Sequence, residues 1–236
     1  MEEEALNPPH AERVAARALV LACVSCRGYI EGDADNPAAE EFRTNVAQWV
    51  LDSGLGPELE AWERDLLNTP LGRLNDQQLV TDAAWAGEGC AVLAWALGIR
   101  KLPPYDESPL PADVASDLGF MKSLSDTALV SPTLRNEHEI RSFSDFMFAL
   151  HWRLRQFHLN HQPMNFREFA ATAWFGPLRT EGMKFVNEDL ALRGEAISEA
   201  DPDLSRVCLS LAMERHKAVN WLLGRSEIYS ETGADT

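Results

Sequence analysis

Four side chains have the types needed to move a proton to and from a substrate: Glu88, His151, Glu214 and His216. Gathered in one cleft, a carboxylate and an imidazole would serve as base and acid in a hydrolytic reaction. The sequence supplies no further part of such a mechanism. It contains no nucleophile elbow, glycine-rich phosphate loop, H-E-x-x-H pair or carboxylate cluster at metal spacing. Glu88 sits just before the apolar run CAVLAWAL, and Glu214, Arg215 and His216 flank an apolar stripe. Polar groups embedded in such helices usually satisfy one another. Glu88, Arg153 and Arg215 are therefore expected to form a structural polar core, with Glu88 buried and paired to one of the two arginines.

Metal chemistry has equally little support. Cys23 and Cys26 form a C-x-x-C pair on a helical pattern, and Cys90 and Cys208 stand alone among apolar residues. Zinc would need two more ligands at matching spacing. His151 and His158 lie seven residues apart, about 10.5 Å along a helix, too far for one ion to bridge. His161 follows the end of that helix. Reduced structural thiols, no metal and no cofactor are expected.

The 236-residue chain carries a formal charge of −16, concentrated towards its start. Residues 1–130 hold 22 acids against 9 bases. Such a field repels phosphate backbones, so nucleic acid is an unsuitable partner. The acidic start MEEEALNPPH lacks the basic segment of a secretory signal, and the apolar run Val14–Val24 is short and interrupted by Arg17. A cytoplasmic protein that does not enter membranes is expected. Ten acids fall between Glu31 and Asp65, where only Arg43 and Arg64 oppose them. Glu40, Glu41, Asp52, Glu58, Glu60 and Glu63 would thus line a partner-binding face. Acids in first turns also suit the helix dipole, but that does not account for Asp52 near a C-terminal end.

Helix signals dominate the elements that would position these residues. Asn7-Pro8, Asn36-Pro37, Gly56-Pro57 and Asp201-Pro202 open helices, Asn136 with Glu139 forms a capping-box start, and another helix runs from about Asp76 to Leu97. Residues 99–134 read as a proline-rich loop with one or two helical turns, and 165–175 as a short helix. Met183–Val186 and Leu190–Leu192 flank a polar turn and read as one β-hairpin. The expected fold is mainly α: a single compact bundle of about six main helices, one domain over 1–236, with residues 178–199 inserted as a hairpin arm.

WAGEGCAVLAWALG at 85–98, LHWRLRQFHLN at 150–160, ERHKAVNWLLG at 214–224 and the tail YSETGADT together resemble the bacterial domain of unknown function 4272 family. The stretch from Gly176 and the hairpin resemble a subset with an insertion before the last helix. The resemblance implies a helical fold and motif positions Trp85, Glu88, Trp95, His151, Trp152, Glu214, Arg215, His216, Asn220 and Trp221. It implies no reaction, cofactor or substrate.

Composition therefore favours binding over catalysis. The first expectation is a protein that occludes a basic surface on another protein, as immunity proteins do to secreted antibacterial toxins. The alternatives are a hydrolase-type enzyme built on Glu88, His151, Glu214 and His216, and an adaptor subunit of a larger assembly.

Overall fold

The first helix begins later than its proline signal suggests. In the computed structural model, which describes residues 7–236, α1 spans Ala11–Ile30. Asn7 and Pro8 each precede a proline, and proline sterics push the preceding residue out of helical geometry. His10 caps the helix instead, its Nδ1 accepting from the Arg13 N–H at 3.1 Å. The acidic segment 1–6, on which part of the cytoplasmic expectation rests, lies outside the described residues.

Asn36 caps α2 (Pro37–Asp52), its side chain accepting from the Ala38 N–H. Gly56-Pro57 opens only a 3-10 turn, and α3 (Ala61–Asn68) starts after it. Glu60 and Glu63 close a reciprocal capping box there, which fixes the start four residues beyond the proline. Asp76 caps α4 (Gln77–Ala96) by accepting from the N–H groups of Gln78 and Leu79. The proline-rich stretch yields α5 (Pro111–Asp117). Asn136 and Glu139 open α6 (Glu137–Asn160), and α7 (Phe166–Thr172) and α8 (Pro202–Leu222) follow. Among the described residues the chain is mainly α, with eight α-helices and a small three-stranded antiparallel sheet.

The chain divides into two compact units. One comprises Pro9–Leu102 and Pro109–Arg135; the other comprises, among the described residues, Asn7–Pro8, Pro103–Ser108 and Asn136–Thr236. In the first, α1 packs along α4 around Leu19, Val20, Cys23, Ala91 and Val92, all fully buried or nearly so. Each such leucine or valine contributes roughly 1.5–3 kcal/mol by leaving water. Gly28 allows the helices to touch, since a Cβ there would lie 2.5 Å from the Ala84 backbone nitrogen.

In the second unit, α6 packs along α8. The strands are β1 (Phe185–Val186), β2 (Asp189–Leu192) and β3 (Glu195–Ala196), in order β1-β2-β3. Asn187 and Glu188, at φ 52° and 63°, make the two-residue turn between β1 and β2. Arg193 and Gly194, at φ 49° and 92°, make a second one, adding a strand to the expected hairpin. The segment 103–108 straps this unit together. The Tyr105 hydroxyl donates to Ala191 O at 2.6 Å, and Asp106 accepts from the Arg193 N–H at 2.7 Å.

Candidate functional site

Of the four candidate proton-transfer residues, the structure brings two together. His151 on α6 and His216 on α8 are buried, with their Nδ1 atoms 3.2 Å apart. One ring must donate Nδ1–H and the other accept, so the two imidazoles hold opposite tautomers at these atoms. Burial pushes His151 down to about 4, helped by Arg155 and opposed by Asp235. Burial, His151 and Arg225 push His216 down to about 3. Both rings are therefore neutral at pH 7. His216 Nε2 is buried without a hydrogen-bond partner among the described residues. Glu214 is only two positions from His216, about 200° around the helix, and receives Lys217 Nζ at 3.4 Å. Glu88 is buried on α4 and belongs to the other unit. Burial thus favours the neutral form of both rings.

Arg153 and Arg215 are also buried, and both tie structure together. Arg153 grips Asp189 through two bonds, Nε–Oδ1 at 2.7 Å and Nη2–Oδ2 at 2.6 Å. Asp189 further accepts from the N–H groups of Met164 and Leu190. The carboxylate of Arg153 is thus Asp189 at the hairpin turn. Asp189 lies in the polar turn between the two strand runs, where no local signal marks a buried carboxylate. Arg215 donates to Pro104 O at 3.2 Å and Glu107 O at 2.6 Å, anchoring the 103–108 strap.

The expected acidic face is divided by the fold. Arg17, only 1% exposed on α1, gathers carboxylates from the 3-10 turn and α3. Its guanidinium lies 3.9 Å from Glu58, 3.0 Å from Glu60 and 2.5 Å from Glu63. Arg13 also reaches Glu58, at 3.3 Å. Glu63 is fully buried, which corrects its placement on a partner-binding surface. The cause is the capping box, which turns the Glu63 side chain back towards α1. Burial pushes Glu63 up to about 7, against the pull of Arg17 and the Glu60 N–H. Glu40 pairs with Arg43 and accepts from the Leu71 N–H, and these bonds hold its carboxyl below the usual range. Glu41 and Asp52 remain exposed, Asp52 accepting from Gln48 Nε2. The sequence did carry the signal: an arginine inside an apolar helical run must find carboxylates somewhere.

The first unit also holds an open cavity of about 490 Å³ between α1, α2, α4 and α5. Ala22, Cys90, Val114 and the half-buried Cys26 are among its lining residues. All four cysteines are free. Burial pushes the Cys26 thiol up to about 11, far from the range of a redox thiolate. Among the described residues, no group of three or more His, Cys, Asp or Glu is placed to hold a metal ion, and no helix is long and apolar enough to cross a membrane.

These features define a mainly helical protein whose buried charges are used in packing, with a small sheet tied in by Arg153, Arg167 and the 103–108 strap. Residues 1–167 match the family described as Domain of unknown function (DUF4272), and the chain belongs to that family. The matched segment includes Trp85, Glu88, His151 and Trp152, and ends before the hairpin and α8. No curated protein and no solved structure matches the chain.

Proposed function

We propose that the protein acts by binding a protein partner with a basic surface, and does not catalyse a reaction. The observation that supports this is the acidity left after the internal pairs form. Asp33, Asp35, Glu41, Asp52 and Asp65 are exposed, and none has a lysine or arginine at ion-pair distance among the described residues. Unneutralised surface charge costs some stability through self-repulsion and raises the encounter rate with an opposite charge by 10- to 1000-fold. A protein that must catch a toxin quickly benefits from that trade, so occlusion of a toxin's basic cleft fits this surface. The neutral histidine pair weighs against the hydrolase alternative.

An adaptor role has one observation of its own. Trp174 is 91% exposed and set edge-on to Phe175, which packs against Phe148 and Trp152. A tryptophan held on an aromatic base is the residue type that anchors protein interfaces. Affinity purification from the native cell discriminates the readings. Wild type is expected to retain a basic protein that the fourfold variant Asp33→Lys, Asp35→Lys, Glu41→Lys, Asp52→Lys loses. A partner lost only on Trp174→Ala would favour the adaptor. Retention of no partner, together with a hydrolytic turnover abolished by His151→Ala, would overturn both.

A further inference from the structure

The cavity in the first unit has a wall chemistry that the partner reading does not use. Its lining includes the buried side chains of Ala22, Cys90 and Val114, so it reaches to the core of the unit. Small residues line it: Gly87 and Ala115 are among them, and a Cβ on Gly87 would lie 2.9 Å from Ser25 Oγ and 3.7 Å from Pro111. The Ser25 hydroxyl already donates to Ala84 O at 3.2 Å. Among the described residues, no charged side chain lines the space. Tyr29 and Phe42, both exposed, lie at the mouth, where Phe42 meets Phe120 edge-on at 6.5 Å.

Pockets for drug-sized ligands run from roughly 300 to 1,000 Å³ and are mostly apolar with a few polar groups. At about 490 Å³ the cavity falls within that range and exceeds any single side chain that a partner protein could insert. An ionised group placed against these walls would lose its hydration without meeting a charged side chain among the lining residues. We infer that this cavity is a binding site for a small, uncharged, lipophilic molecule, with Tyr29 and Ser116 able to meet a neutral polar head at the mouth. The inference is independent of the acidic surface and stands or falls separately.

Two readouts on the full chain test it. The neutral dye N-phenyl-1-naphthylamine is expected to bind saturably, one per chain, and to be displaced by 1-dodecanol. Ala112→Trp and Ser116→Trp, at exposed positions lining the cavity, are expected to weaken the dye at least tenfold with helical circular dichroism unchanged. Cys26 is the one cysteine that is not fully buried, so its alkylation by N-ethylmaleimide reports on the cavity directly. Bound 1-dodecanol is expected to slow that alkylation severalfold in the wild-type protein, a result that does not depend on any variant folding. Unsaturable dye binding, full dye affinity in folded tryptophan variants, or an unchanged Cys26 alkylation rate would overturn the inference.

Discussion

Glu63→Gln isolates the contest between burial and pairing at the centre of the Arg17 cluster. Glu63 has no solvent exposure and places its two oxygens 2.6 and 2.5 Å from Arg17 Nη2. Burial, the larger effect, raises its carboxyl from the ordinary 4.5 to about 7. The folded protein then holds the proton more tightly than the unfolded chain does. The stabilising contribution is complete below pH 4.5 and is lost as pH rises through about 7. At about 1.4 kcal/mol per unit, the difference between the two states amounts to about 3 kcal/mol. Glutamine cannot titrate, but its amide oxygen can still accept from Arg17. The stability of wild type minus that of Glu63→Gln should therefore fall by about 3 kcal/mol between pH 4.5 and 7.5. Urea unfolding followed by tryptophan fluorescence at half-unit pH steps measures this, provided the denaturant slope stays constant. A difference that stays flat, or grows with pH, would refute the reasoning and mean that Arg17 outweighs burial. Glu63→Lys would instead bury a second cation beside Arg17, so that position cannot serve in a surface charge reversal.

Asp189→Ala should cost about 3–5 kcal/mol in urea unfolding, because it leaves Arg153 buried without its counter-charge; a cost below 1 kcal/mol would mean the pair is dispensable. His151 and His216, depressed from 6.5 by burial, contribute stability that is present above pH 6.5 and lost as pH falls towards 4. Imidazole NMR should show neither ring charging above pH 5, and a titration near 6.5 in either would contradict their burial. This acid loss runs opposite to the Glu63 effect, so wild-type stability alone will conceal both. Gly28→Ala should destabilise by about 1–3 kcal/mol or more, because its Cβ meets the rigid Ala84 backbone; a neutral result would show that α1 and α4 can separate.

Helix content was legible because caps and 3.6-residue periodicity are local properties. The Asn36, Asp76, Asn136 and Asp201 caps all lie where the sequence places them. Errors arose where two local signals competed. Pro9 displaced the Asn7 start, and the Glu60–Glu63 box displaced the Gly56-Pro57 start. The third strand was missed because Arg193 is an unusual residue at positive φ, although Gly194 beside it marked a turn. The candidate site was less legible because ion-pair partners are far apart in sequence. Arg17 and Glu63 are separated by 46 residues, Arg153 and Asp189 by 36, and His151 and His216 by 65. Charge counted along the chain cannot distinguish an acid that faces water from one that faces an arginine on another helix. Only Glu41 and Asp52 of the six expected face residues stay exposed.

The central claim is that the remaining exposed acids steer a basic protein partner. The direct measurement is the association rate of that partner at several ionic strengths, for wild type and for the fourfold variant at Asp33, Asp35, Glu41 and Asp52. Surface charges act mainly on the on-rate and are screened over about 10 Å at 0.1 M salt. The wild-type rate should fall steeply with salt, and the variant's rate should be at least tenfold lower at low salt and nearly independent of it. Equal rates and equal salt slopes in the two proteins would contradict the claim.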